Sequence, residues 1–354
     1  MKSKEKNKPK SKKKRIIILT IIILIVFVVL PTALTFILYD NTYSRKQTAE
    51  PQLRTVSEFP GLEQKEVSFT SDKGQKLAGY VYTKAGLNPV GVVIIAHGLG
   101  PGGQCVYMDT ADYFTSNGYL VFAYDATGND KSEGSSIGGM AQGVIDLSHA
   151  IDYVEQDAGM KNLPVVLFGH SWGGYCVSAV LKDHPEVKAV AAVSGFNSTA
   201  GLYNADFKGN FMMVMIPYAT LLEKIRFGKY ADYTAMDGFD STQAGIMIIH
   251  SQDDANVPIS TGYDLYYPKY KDDSRFVFKH YDNRQHLYIF YTDAARAYIA
   301  DYQAGYDAYC KEQGVTDAMK ADYIKTHFDK TKAYELDQSF YGDILGFYNK
   351  NIAQ

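Results

Sequence analysis

Beyond residue 63, short apolar runs alternate with stretches whose apolar residues recur at helical spacing. Glu66–Ser71 and Leu77–Thr83 alternate apolar and polar residues around Asp72-Lys73-Gly74, which predicts a hairpin. Gly91–Ala96, Tyr119–Tyr124, Val165–Phe168, Val187–Val193 and Ile246–Ile249 are near-continuous apolar runs of the kind buried on both faces of a sheet, and Arg275–Phe278 reads as the last strand. Met108–Asn117, closed by Gly118, and Gln142–Gln156 carry helical periodicity, and residues 177–182 suit a helix. Strands interleaved with helices predict an α/β fold, a mostly parallel sheet covered on both faces. Two stretches break the alternation. Phe196–Ser241 holds the run Phe211-Met212-Met213-Val214-Met215-Ile216-Pro217-Tyr218 and little strand character, and Ile289–Leu336 is tyrosine-rich and helical with a break near Gly314.

The N-terminal part follows neither pattern. Met1–Arg15 carries nine Lys/Arg, and Ile16–Tyr39 then runs 24 residues without a charge, interrupted only by Thr20, Pro31, Thr32 and Thr35. At about 1.5 Å per residue that run covers a bilayer core of roughly 30 Å. A signal peptide would have a shorter apolar region ending in a small-x-small site. The pattern predicts a basic cytoplasmic tail (1–15), a single-pass transmembrane anchor (16–39) in the cell membrane, a polar linker (40–62) and an extracytoplasmic body (63–354).

Charge sharpens that division. The net charge of −3 combines eleven basic and two acidic residues in 1–46 with 25 basic and 37 acidic residues beyond, so residues 47–354 carry −12. An acidic body repels nucleic acid. Three scattered cysteines and no paired His or Cys spacing give neither a disulfide framework nor a metal site.

The candidate chemistry starts at Gly169-His170-Ser171-Trp172-Gly173, a serine between glycines where a strand turns into a helix. Such a serine takes a positive φ, so residues two positions away must lack bulk. A serine hydroxyl needs a base in hydrogen-bond reach and a carboxylate to orient that base. Acid candidates are Asp253 and Asp254, in the loop after a buried strand; the Asp-x-x-Val-Pro spacing favours Asp254, and Asp253 suits a capping role. His286, soon after the last strand, is favoured as base over His280 at that strand's end. Oxyanion donors are expected from the backbone N–H of Trp172 and, in the glycine-rich loop 96–103, that of Leu99.

The order His97-Gly98, Gly169-x-Ser171-x-Gly173, Asp254-x-x-Val257-Pro258 and His286 resembles the α/β-hydrolase superfamily. Tyr124–Gly134 is similar to the Asp-x-Arg-Gly-x-Gly-x-Ser-x-Gly loop of its serine aminopeptidase and monoacylglycerol-lipase group. Thr127 stands where that loop has arginine, and Asp130 where it has its second glycine. The resemblance covers roughly Glu63–His286 and a final helix, Ser339–Asn349. It implies an α/β-hydrolase fold with a helical cap at 196–243 and no cofactor; the helical insertion at 289–336, after His286, is longer than the family norm. The implied activity is membrane-tethered serine hydrolysis of carboxylic esters, small acyl or lipid-like, by Ser171, His286 and Asp254. Hydrolysis of short peptides, acyl transfer, and ligand binding without catalysis are the other readings.

Overall fold

The computed structural model describes residues 10–48 and 52–353. Most of the expected basic tail, and positions 49–51 of the expected linker, lie outside the described residues. Eight strands form one sheet: β1 (Leu62–Thr70), β2 (Lys76–Lys84), β3 (Val92–Ala96), β4 (Leu120–Tyr124), β5 (Val165–His170), β6 (Ala189–Val193), β7 (Gly245–Ser251) and β8 (Phe276–Tyr281). Their order is β1-β2-β4-β3-β5-β6-β7-β8. The β1–β2 and β2–β4 pairs are antiparallel and the rest parallel. Each expected strand has its counterpart, with ends shifted by neighbouring turns.

The helices are α1 (Lys10–Leu24), α2 (Leu30–Thr42), α3 (Met108–Ser116), α4 (Met140–Gln156), α5 (Trp172–Ala179), α6 (Thr199–Asp206), α7 (Ile216–Phe227), α8 (Ala235–Asp240), α9 (Tyr263–Tyr270), α10 (Asp293–Cys310), α11 (Asp317–His327), α12 (Lys330–Ala333) and α13 (Gln338–Ile352). Neighbouring strand residues face opposite sides, so a continuous apolar run feeds two cores. Val92 and Ile94 share one core with Val144, Leu147 and Ile151 of α4. Val93 and Ile95 share the other with Tyr341, Ile344 and Tyr348 of α13. Two helical excursions leave this frame: α6–α8 between β6 and β7, and α10–α12 between β8 and α13. We refer to them as the cap and the arm.

The apolar run forms α1, a π-helical turn at Ile25–Val29, and α2. Lys12–Thr42 is a 31-residue helical stretch long and apolar enough to cross a membrane. Pro31 lacks the N–H that would bond the carbonyl four residues back, that of Phe27. The Tyr218 hydroxyl of α7 donates to that carbonyl at 2.5 Å.

The segment expected as linker is partly seated on the body. Arg45 donates to the carbonyls of Ser132 (2.9 Å), Gly134 (2.7 Å) and Asp130 (2.5 Å). The Asp130 carboxylate accepts from the Thr48 N–H (2.5 Å) and hydroxyl (2.6 Å). Asp130, the departure from glycine at φ 36°, thus secures the chain leaving the apolar helix.

Candidate active site

The turn from β5 into α5 holds Ser171 at φ 60°, ψ −120°. A Cβ on Gly169 would lie 2.2 Å from the Gly173 carbonyl oxygen, and one on Gly173 would lie 1.9 Å from that of Ala96. Both positions exclude any side chain, which is the steric demand read from the sequence.

Three sequence candidates meet at the carboxyl edge of the sheet. His286 Nε2 lies 2.8 Å from Ser171 Oγ, and His286 Nδ1 lies 2.7 Å from Asp254 Oδ2. The other Asp254 oxygen accepts from the N–H groups of Asn256 (3.0 Å) and Val257 (2.8 Å). Burial alone would raise the Asp254 carboxyl. Hydrogen bonds from His250 and His286, the charge of His286 and the Val257 N–H outweigh it and hold the carboxyl well below the usual carboxylate range. The acid is therefore ionised, and the arrangement fits an imidazole with its proton on Nδ1 and Nε2 open to accept from the serine.

Asp253 and His280 lie elsewhere. Asp253 accepts from the Ser251 hydroxyl (2.7 Å) and the Gln285 N–H (2.8 Å), bracing the loop that carries His286. His280 sits on β8 beside Gln252 at 3.1 Å. Leu99 and Trp172 both border the pocket at Ser171. The place of a Cβ on Gly98 lies 3.5 Å from the serine Cβ, which brings the 98–99 backbone close to Ser171.

Beneath the serine turn lies a second set of contacts, centred on His170. His170 bridges both loops that flank the serine. Its Nε2 is 3.0 Å from the His286 carbonyl and its Nδ1 is 3.0 Å from the Tyr107 hydroxyl, which also accepts from the Gly98 N–H at 3.0 Å. Burial, with the like charge of His286 next, pushes His170 from 6.5 down to about 3. A neutral ring then donates from Nε2 to the His286 carbonyl and accepts at Nδ1 from Tyr107. His97 works similarly, with Nδ1 2.7 Å from the Gly98 carbonyl and Nε2 accepting from the Ala126 N–H at 3.0 Å.

The pocket above Ser171 has a volume of about 770 Å³. The cap contributes Leu202, Met215 and Ile216, and the sole tryptophan, Trp172, forms part of the wall. The apolar N-terminal helix also contributes, through Thr35, Leu38, Tyr39 and Thr42. The signal for these was available: Thr35, Tyr39 and Thr42 recur at helical spacing at the end of the apolar run.

Residues 88–214 match the family described as serine aminopeptidase, S33. An esterase of Pyrococcus furiosus superposes with TM-score 0.53 at 14% identity, over 81% of this chain and 100% of that one. A puromycin hydrolase gives TM-score 0.50 at 15% identity, over 64% of this chain and 36% of that one. At such identities the likeness shows the fold. An Arabidopsis thaliana protein described as a chloroplastic methylesterase 15 is 29% identical over 147 residues, or 39% of this chain. The match spans only 30% of that relative's length. The fold is that of the α/β-hydrolases, and within it residues 88–214 are similar to the serine aminopeptidase family.

Proposed function

We propose that the protein is a membrane-anchored hydrolase of carboxylic esters acting through an acyl-enzyme. The observation that carries this reading is the Ser171–His286–Asp254 chain of 2.8 and 2.7 Å contacts at the floor of a largely apolar pocket. Ser171 Oγ attacks the ester carbonyl as its proton passes to His286 Nε2. Asp254 holds the Nδ1–H tautomer and stabilises the imidazolium. The amides of Leu99 and Trp172 receive the developing oxyanion. The imidazolium protonates the departing alkoxide, and water, deprotonated by the same nitrogen, releases the acid. Ile16–Tyr39, within the Lys12–Thr42 helix, serves as a single membrane span with the body on the outer side; the apolar length supports the span and the expected basic flank its orientation.

Hydrolysis of short peptides is the second reading, and Asp206 is what favours it. Among the described residues bordering the pocket it is the one carboxylate, and it could meet a substrate ammonium. Burial pushes its carboxyl up, which weakens it as a standing negative charge and favours a neutral acyl group there. The full chain in detergent should label with a fluorophosphonate and lose labelling in Ser171→Ala. Aryl esters should then be cleaved faster than aminoacyl amides. Faster amide cleavage that collapses in Asp206→Asn would reverse the order of the two readings.

A further inference from the structure

The apolar helix does more than tether. α7 lies alongside α2 for much of its length: the Tyr218 hydroxyl meets the Phe27 carbonyl, Tyr39 hydrogen-bonds Glu223, and Arg226 pairs with Asp40 at 2.8 Å. The Arg226 guanidinium also stacks 4.7 Å over Phe36 and 5.2 Å over Tyr39. The cap therefore occupies the flank of the helix from Phe27 to Asp40. That leaves Ile16–Val26 clear of it, about 16 Å of helix at 1.5 Å per residue, against a hydrocarbon core of roughly 30 Å. A helix that spans must carry the adjoining cap into the outer leaflet. The cap's surface suits that position. Phe211 is 80% exposed, Val214 65%, Leu221 54% and Ile225 73%, beside a helix whose Leu34, Phe36 and Ile37 are also exposed. Soluble surfaces rarely gather large apolar residues in this way.

The pocket is built at the same junction. Thr35, Leu38, Tyr39 and Thr42 of the helix face Leu202, Met215 and Ile216 of the cap across it, with Ser171 and Trp172 beneath. We infer that the end of the apolar helix and the cap together form an acyl-chain site opening into the outer leaflet, so that the substrate is a lipid carrying an acyl ester, taken from the bilayer. This rests on the serine-hydrolase reading for its chemistry but not for its binding geometry. The ester bond comes to Ser171 while the chain stays in contact with Leu38, Met215 and Trp172, and bond breaking proceeds as proposed above. The helix is then a specificity-determining wall.

Trp172 is the only tryptophan, so binding can be read without turnover. The full chain carrying Ser171→Ala, reconstituted in phosphatidylcholine vesicles, should lose Trp172 fluorescence when the vesicle lipid carries brominated acyl chains. Equal emission in brominated and plain vesicles would overturn the site. A kinetic arm compares a long-chain aryl ester held in vesicles with a water-soluble aryl acetate. Leu38→Trp, which fills the wall, should lower the long-to-short rate ratio by roughly tenfold or more. The paired exposed-surface change Phe211→Asp with Val214→Asp should lower the same ratio, the acetate rate reporting that the fold is kept. Unchanged ratios in both variants would overturn the inference even with the enzyme active. Absence of Ser171-dependent turnover of either ester would instead sink the hydrolase reading, and the quenching result would still decide the lipid site.

Discussion

The cap and the arm are helical excursions of similar length, one leaving the sheet after β6 and the other after β8, yet they treat their apolar residues differently. The cap turns Phe211, Val214 and Ile225 outward and lends Leu202, Met215 and Ile216 to the pocket. The arm packs its rings on one another: Tyr302 lies 6.1 Å from Tyr306 and 6.2 Å from Tyr323, and Tyr323 stacks on His327 at 4.0 Å. Tyrosines with a ring to bury and a hydroxyl to leave in water make a self-contained aromatic ladder. Aliphatic and phenylalanine side chains left bare beside an apolar helix make a surface that wants lipid. An excess of rings is thus a weaker sign of a binding site than aliphatic exposure that continues a membrane-length helix.

The sharpest test concerns Ser171, Asp254 and their neighbours, where the proposed chemistry lies. Ser171→Ala should lower ester turnover by about 10⁴-fold or more. Asp254→Asn should cost about 10³- to 10⁴-fold by favouring the wrong imidazole tautomer. Asp253→Asn, which loosens a loop brace, should cost under about tenfold. Steady-state kinetics on the full chain reads all three. An Asp253 effect larger than that of Asp254 would reassign the acid.

The next largest effect lies in the hinge of contacts where the arm leaves the site. His170 packs against Phe290 at 4.8 Å and holds the His286 loop. Its proton affinity falls from 6.5 to about 3 on folding, so between those pH values the unfolded chain binds the extra proton. The stabilising contribution is complete above pH 6.5 and is lost as pH falls toward 3, by up to about 5 kcal/mol. Denaturant unfolding followed from pH 7 to 4 should show this loss, and His170→Gln should flatten it. Asp254, whose carboxyl is depressed, is lost at still lower pH and leaves its part of the slope in the variant.

Much of this was legible in the sequence, for physical reasons that differ from place to place. The strands showed because a buried parallel strand needs an unbroken apolar run, as in Val92–Ala96. Ser171 showed because its φ and the close approach of Ala96 leave only glycine at position 173. Asp254 and His286 showed through spacing after strands, since loops at one sheet edge converge whatever lies between them. What did not show were contacts between segments far apart in the chain with no periodic signature: Tyr107 with His170, Arg45 with the 130–134 carbonyls, and Tyr218 with the Phe27 carbonyl. Thr127 and Asp130 could be seen as departures from a familiar loop. That Asp130 then holds Thr48 depends on where the chain goes after the apolar helix.

That docking gives a smaller effect on the cap side. Arg45 makes three charge-assisted bonds to backbone carbonyls. Arg45→Ala should lower stability by about 1–3 kcal/mol, seen as a lower thermal midpoint in detergent. Arg45→Lys, which cannot fork between carbonyls, should recover only part of it. A midpoint unmoved in Arg45→Ala would mean that the segment is a loose linker after all and that helix and cap are coupled through α7 alone.

The smallest effect belongs to the arm, and it is what separates the two excursions. Tyr306 stacks on Tyr302 and contacts Tyr323 without bordering the pocket over Ser171. Tyr306→Ala should cost about 1 kcal/mol, the worth of one or two partly exposed ring contacts. It should leave the long-to-short ester ratio where it was, because Tyr302, Tyr306 and Tyr323 do not border the pocket. Paired thermal and kinetic measurements on Tyr306→Ala and Leu38→Trp make the contrast: stability moves in the first, specificity in the second. If Tyr306→Ala shifted the chain-length ratio, the arm would share the substrate, and the division between an aromatic scaffold and a lipid-facing cap would not hold.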